Sequence, residues 1–355
     1  MTVIIQARAR ALARLTLTIT AAIALAVTSA ATLTSCSLSS PRAAADKNGM
    51  TFGLAVKAGD VLTPSTVKII KRNFNLIVPE DSMKWVNIRP KKDFWNWSDM
   101  DNMVAFAEKN GLKIKGHTFL WHDQNAPYVH SLKTREEAIA LLTEHITTIM
   151  TRYKGRVVEY DVANEVFTED GRLRDTIWHR LIGDDFLDVA FKAARAADPA
   201  AKLILCDFNT EYEGTAKGDA SYEMVKAMKE RGVPIDGVAF QLHVMADSPI
   251  DEEALRDNIK RFAALGLTCS FSEVDVRVKL PLDAQKIAAQ DQIYETLGSV
   301  ARTEPNAKSV ILWGLSDKGS WIPRAFPGYG SANVYDKDMK EKSALKALVK
   351  GISGK

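Results

Sequence analysis

From Thr51 onward the chain repeats one pattern: a short apolar run, a polar stop, then a longer stretch with helical spacing. The runs are Phe52–Val56, Phe74–Pro79, Leu112–Phe119, Val157–Asn164, Lys202–Asn209, Ile235–His243, Leu267–Asp275 and Ser309–Ser316. Apolar runs this short, with few polar interruptions, suit strands covered on both faces. Helices are predicted between them. Asp99–Asn110 starts acidic and ends before Gly111, and Thr134–Tyr153 places Ala138, Leu141, Leu142, Ile146 and Ile149 on one face. Asp184–Ala197 stops at Asp198-Pro199, Ser221–Arg231 at Gly232, and Glu252–Leu265 at Gly266. Glycine just past a helix accepts the left-handed backbone that closes it. Ala284–Ala301 and Lys342–Val349 complete the set. Eight strand–helix alternations predict a single (β/α)8 TIM barrel over residues 49–355 rather than an open doubly wound sheet. No GxGxxG follows the first run, as a dinucleotide fold would require.

A barrel places its working groups at the carboxyl ends of its strands. Those ends supply Glu80, Asp81 and Lys84 after the second run, and His117, Trp121 and His122 at the third. The fourth adds Asn164 and Glu165, the fifth Asn209, and the sixth Gln241 and His243. The seventh adds Glu273 and Asp275, and the eighth Trp313. Glu165 and Glu273 share a setting, each ending an apolar run, which predicts two acids facing one cleft.

The composition is that of a folded globular chain, 46% hydrophobic and 26% charged. The net charge of +3 comes from Arg8, Arg10 and Arg14, since residues 1–36 hold no acid. The remainder is balanced, so charge gives no support to a nucleic-acid or anionic-membrane partner. Residues 1–36 read as an export signal, basic at first and then apolar and threonine-rich over Leu15–Thr34. Leu33-Thr34-Ser35-Cys36 resembles a lipobox, which predicts a lipid anchor at Cys36 on a cell-surface or periplasmic lipoprotein. The alternative is cleavage after Ala43-Ala44-Ala45 and free secretion. Residues 37–48 read as a linker. Cys206 and Cys269 fall at opposite heights on non-neighbouring strands and are expected to be buried small hydrophobes, not a disulfide. No cluster has zinc-site spacing, and no cofactor or metal is expected.

The barrel end offers carboxylates, amides, histidines, a lysine and tryptophans. It has no phosphate loop and no activated serine or cysteine. A metal-dependent hydrolase would need a ligand cluster, often begun by a histidine pair on the first strand, and Phe52–Val56 has none. Acids and amides bind sugar hydroxyls, and tryptophan faces stack on pyranose C–H faces. Glycoside hydrolysis needs two carboxyl groups flanking the scissile bond.

The segments Glu80–Trp85 (EDSMKW), Gly116–His122 (GHTFLWH), Tyr160–Val166 (YDVANEV), Asp207–Asn209 (DFN), Gln241–His243 (QLH), Ser272–Asp275 (SEVD) and Trp313–Trp321 (WGLSDKGSW) occur in this order. Together they resemble family 10 glycoside hydrolases, an endo-β-1,4-xylanase family of (β/α)8 barrels. The resemblance implies a retaining enzyme acting on β-1,4-linked xylan or xylo-oligosaccharides. It makes Glu165 the acid/base and Glu273 the nucleophile. Asn164 would bond the sugar 2-hydroxyl, and His243, steered by Asp275, would hold the Glu273 carboxylate. Gln241 would position Glu165 or the sugar. Glu80, Asp81, Lys84, His117, Trp121, Trp313 and Trp321 would bind the glycone. A monomer is expected.

Three departures stand out. Asp81 replaces the family's usual asparagine, and a carboxylate beside Lys84 pairs with the ammonium where an amide would meet a hydroxyl. The loop after His122 lacks the tryptophan common near Tyr128. Phe208 replaces a common tyrosine. These changes keep two alternatives open: a β-1,4-glucanase or mixed-activity glycosidase, and a catalytically weak surface xylan-binding protein.

Overall fold

Each predicted apolar run forms a strand: β1 (Thr51–Val56), β2 (Leu76–Pro79), β3 (Lys113–Leu120), β4 (Glu159–Asn164), β5 (Lys202–Asp207), β6 (Gly237–Phe240), β7 (Thr268–Lys279) and β8 (Ser309–Leu312). The computed structural model describes residues 40–354. Successive strands pair in parallel. β8 pairs back onto β1, with Thr51 opposite Ser309 and Leu54 opposite Leu312. The sheet therefore closes and leaves no open edge. One helix of the outer layer follows each strand: α1 (Pro64–Asn73), α2 (Ser98–Lys109), α3 (Arg135–Arg152), α4 (Phe186–Ala197), α5 (Ala216–Glu230), α6 (Glu252–Ala264), α7 (Ala284–Thr303) and α8 (Ser343–Ser353).

Local chemistry explains the boundaries. The Thr134 hydroxyl accepts from the Glu137 N–H and the Glu137 carboxylate accepts in return from the Thr134 N–H, a capping box that starts α3. α5 starts at Ala216 instead of Ser221 because Thr215 caps it, accepting from the Gly218 N–H at 3.1 Å. Gly116 in β3 has no substitute: a Cβ there would stand 2.3 Å from the Tyr160 ring.

The barrel interior carries charge at one corner. Lys115 pairs with Glu159 at 3.1 Å and with Asp161 at 2.8 Å, and Asp161 reaches His117 Nδ1 at 3.0 Å. In register, Lys115 faces Glu159 and His117 faces Asp161 across β3 and β4. Buried charges need such partners, because an unpaired one costs several kcal/mol.

Within the segment expected to be a linker, the described residues from Ser40 onward are folded. Pro41–Lys47 is a helix whose Ala44 and Ala45 are buried and whose Ala43 is exposed, so two of the three alanines at the alternative cleavage site lie inside the fold. Arg42 donates to the Gly111 carbonyl at 2.7 Å, and Asn48 donates to the Ile352 carbonyl at 3.1 Å. Alanines look featureless in sequence, but their small side chains let this helix press against the barrel base. The expected export signal and Cys36 lie outside the described residues. Among those described, no helix is long and apolar enough to cross a membrane.

Candidate active site

Glu165 sits immediately past β4 with φ of 53°, in the left-handed region. Asn209 after β5 (φ 54°) and Leu242 after β6 (φ 60°) are turned the same way. Such backbones cost about 1–3 kcal/mol per non-glycine residue and persist where their surroundings fix them. At Glu165 the fixing bonds are visible: its N–H donates to the Cys206 carbonyl at 2.9 Å, and Arg174 Nε donates to its carbonyl at 2.9 Å.

The Glu165 carboxylate is 16% exposed, and its Oε2 lies 3.6 Å from His122 Nδ1. Its Oε1 accepts from Gln241 Nε2 at 3.1 Å and from Asn164 Nδ2 at 3.4 Å. Gln241 Nε2 also reaches Asn164 Oδ1 at 3.1 Å, tying the amides together. Burial holds the His122 imidazole below its ordinary pKa despite the Glu165 charge beside it. Below this group, Asp207 accepts from the Phe167 and Phe208 N–H groups and pairs with Lys217 at 3.0 Å. Burial nevertheless pushes the Asp207 carboxyl up to about 6.

Glu273 is reached where β7 leaves the barrel. β7 pairs with β6 as far as Phe271, then runs on to Lys279 beside a short strand, His243–Met245. That extension sets His243 opposite Asp275. His243 Nδ1 lies 2.9 Å from Asp275 Oδ2, and its Nε2 lies 3.4 Å from Glu273 Oε2. The Trp321 indole N–H also donates to Asp275 Oδ2, at 2.8 Å. Burial would raise the Glu273 carboxyl, but the His243 hydrogen bond and the charges of His117, His243 and Lys84 carry it below its ordinary value. Burial would likewise strip His243 of its proton, but Asp275 and Glu273 outweigh it and push the imidazole up to about 10. Glu273 is therefore ionised beside a charged imidazolium.

This arrangement has a sign that can be checked. A histidine raised above its free value of about 6.5 stabilises the fold fully below that pH and loses the contribution as pH climbs through the folded value. With His243 at about 10, stability from this pair should fade between roughly pH 6.5 and 10. Calorimetry of Asp275→Asn should show a shallower fall of Tm over that interval than the parent protein. Parallel slopes would remove His243 as the cause.

The remaining predicted residues gather on the β2, β3 and β8 side. Glu80 Oε1 faces Lys57 Nζ at 3.4 Å, a partner the sequence pattern missed. Burial keeps the Glu80 carboxyl above its ordinary value despite that lysine. Asp81 meets Lys84 at 3.6 Å, and the Lys84 ammonium lies 4.9 Å from the Trp121 ring centroid. His117 packs edge-on to Trp313 at 5.1 Å, and His243 edge-on to Trp321 at 4.9 Å. Trp85, Trp178 and His145 are buried, with His145 stacked 3.5 Å from Trp85, which makes them core. His122, the neighbour of Glu165, lines a cavity of about 390 Å³ together with His130, Thr168, Arg174 and Arg180. Among the described residues, no group of three His, Cys, Asp or Glu side chains is placed to hold a metal.

The described chain thus brings two carboxylates with different surroundings to one end of a barrel. One is buried against an imidazolium; the other is partly open and held by amides. The profile of Glycosyl hydrolase family 10 matches residues 40–351. The chain is 35% identical over 286 residues to endo-1,4-beta-xylanase B of Thermotoga neapolitana, covering 79% of this chain and 82% of that protein. The crystal structure of xylanase 10B from Thermotoga maritima superposes with a TM-score of 0.85 at 33% identity, covering 89% of this chain and 98% of that one. Xylanase 10B from Thermotoga petrophila RKU-1, solved in complex with xylobiose, gives a TM-score of 0.85 at 33% identity, covering 89% and 97%. The chain belongs to glycosyl hydrolase family 10.

Proposed function

We propose that this protein is a retaining endo-β-1,4-xylanase in which Glu273 is the nucleophile and Glu165 the acid/base. The observation that carries the assignment is the asymmetry of the pair. Glu273 is 4% exposed and kept ionised by His243, as an attacking carboxylate must be. The Glu165 side chain is 16% exposed and so reachable from the cleft, and its neighbour His122, 3.6 Å away, lines a cavity of about 390 Å³. In the first step Glu165 gives its proton to the glycosidic oxygen while Glu273 attacks the anomeric carbon, forming a glycosyl ester. In the second, Glu165 takes a proton from water, whose oxygen displaces Glu273 and restores the starting configuration.

The other residues serve this exchange. His243, held by Asp275, orients the Glu273 carboxylate. Asn164 stands beside Glu165, and its amide would bond the 2-hydroxyl of the sugar being cut. Gln241 positions Glu165. Glu80, Lys84 and His117 offer polar contacts to the glycone, and Trp121, Trp313 and Trp321 give it apolar faces. Asp81, engaged with Lys84, accepts but does not donate to a hydroxyl.

Chromatography of products from defined xylo- and cello-oligosaccharides tests the reading. We expect internal cleavage of xylo-oligosaccharides with kcat/KM well above that for cello-oligosaccharides of equal length. Equal rates on both series would replace the xylanase with a mixed β-1,4-glycanase. Binding without cleavage would leave a xylan-binding protein.

A further inference from the structure

Two residues lace the carboxylate pair together in a reciprocal way. Gln241 donates from its side chain to Glu165 Oε1 at 3.1 Å, while its carbonyl accepts from the Glu273 N–H at 3.0 Å. Cys206 does the converse. Its carbonyl accepts from the Glu165 N–H at 2.9 Å, and its Sγ lies 3.4 Å from Glu273 Oε1. His243 faces the other oxygen, Oε2.

We infer that Cys206 is a positioning residue for Glu273, its thiol donating to the carboxylate oxygen that His243 leaves free. The inference rests on Glu273 being the nucleophile. The thiol has a second neighbour, Ser272 Oγ at 3.4 Å, but the Ser272 hydroxyl also reaches the Phe240 carbonyl at 3.4 Å. Of the two acceptors open to the thiol proton, the anion is the stronger. The thiol is fully buried, and burial pushes its pKa well above the ordinary value, so it keeps the proton it donates. With Oε2 set by the imidazolium and Oε1 by the thiol, the carboxylate plane is fixed before substrate arrives. A thiol is a weak donor. It can orient Glu273 without strongly damping an oxygen that must attack carbon and later leave it. A space-filling role beside Ile204 and Ala239 would need only the volume of the side chain.

Two readouts separate these roles. The first is the infrared S–H stretch of the wild-type protein, assigned by its loss in Cys206→Ala. We expect a band lowered by hydrogen bonding that moves to higher frequency in Glu273→Gln. The second is the pH dependence of kcat/KM, whose acid limb reports the free nucleophile. Losing a donor to the ionised form raises its pKa, so Cys206→Ala should move that limb upward by roughly half a pH unit. Cys206→Ser, which keeps a donor, should hold it at or below the wild-type position. A band indifferent to Glu273→Gln, or an acid limb unmoved in Cys206→Ala, overturns the positioning role. Undiminished xylan hydrolysis by Glu273→Ala removes instead the assignment beneath it.

Discussion

Replacing Glu273 by alanine should lower xylan turnover by about five orders of magnitude or more, the scale seen when a hydrolase loses its nucleophile. The size follows from how completely the site is built around one carboxylate. His243 and Asp275 are paired behind Glu273 Oε2, and Cys206 touches Oε1. Without the carboxylate the imidazolium faces a cavity, and no other acid at that position can attack the sugar. The cavity gives the diagnostic result. A small anion such as azide, added with an aryl xylobioside, should occupy it, attack the anomeric carbon and restore turnover. One displacement replaces two, so the product is the α-glycosyl azide, of inverted configuration. A β product, or a loss smaller than a hundredfold in a variant with native circular dichroism, would assign the nucleophile elsewhere.

The strands were legible because their signal is local. A short apolar run with a polar stop names both the strand and its working end, and the eight runs overlap β1–β8. Helix α1 was missed because Val67, Ile69 and Ile70 are set among Lys68, Lys71 and Arg72, which masks the apolar face. β7 was read as ending at Asp275 but runs to Lys279, since beyond the barrel it pairs with His243–Met245 and with Tyr329–Gly330. That pairing is a long-range event invisible in the run itself. It also sets His243 against Asp275.

The residues missed at the site share one cause. Alternation along a strand says which way a side chain points, not what waits across the barrel. Nothing in the sequence singles out Lys115 and Asp161, yet both are buried on adjacent strands, and the β3–β4 register joins them into the charged column under His117. Cys206 was read as a small hydrophobe, correctly as to burial, but its thiol meets Glu273. The family resemblance assigns Trp321 to the glycone, while its N–H is committed to Asp275. Arg174, on the loop after β4, had no pattern to mark it, though it fixes the strained backbone of Glu165.

Glu165→Ala should behave differently from Glu273→Ala, and the difference tests the division of labour. On xylan the leaving group is a sugar alkoxide that needs a proton. Both steps then lose general acid/base help, for a combined drop of about three to four orders of magnitude. On an aryl xylobioside with an acidic phenol, the first displacement needs no proton and should stay fast. Only the second slows, because nothing draws a proton from water. The variant should therefore release a burst of phenol equal to the enzyme present, show a lowered KM, and accumulate a xylobiosyl ester on Glu273 visible by mass spectrometry of the intact protein. Azide should relieve the block by taking the place of water, and since two displacements occur the product keeps the β configuration. Gln241 and Asn164, deprived of the carboxylate they hold, still face the vacated space, so an anion has donors waiting there. If the variant lost as much activity on the activated aryl substrate as on xylan, with no burst, Glu165 would be needed for attack rather than proton transfer, and the two carboxylates would have to exchange roles.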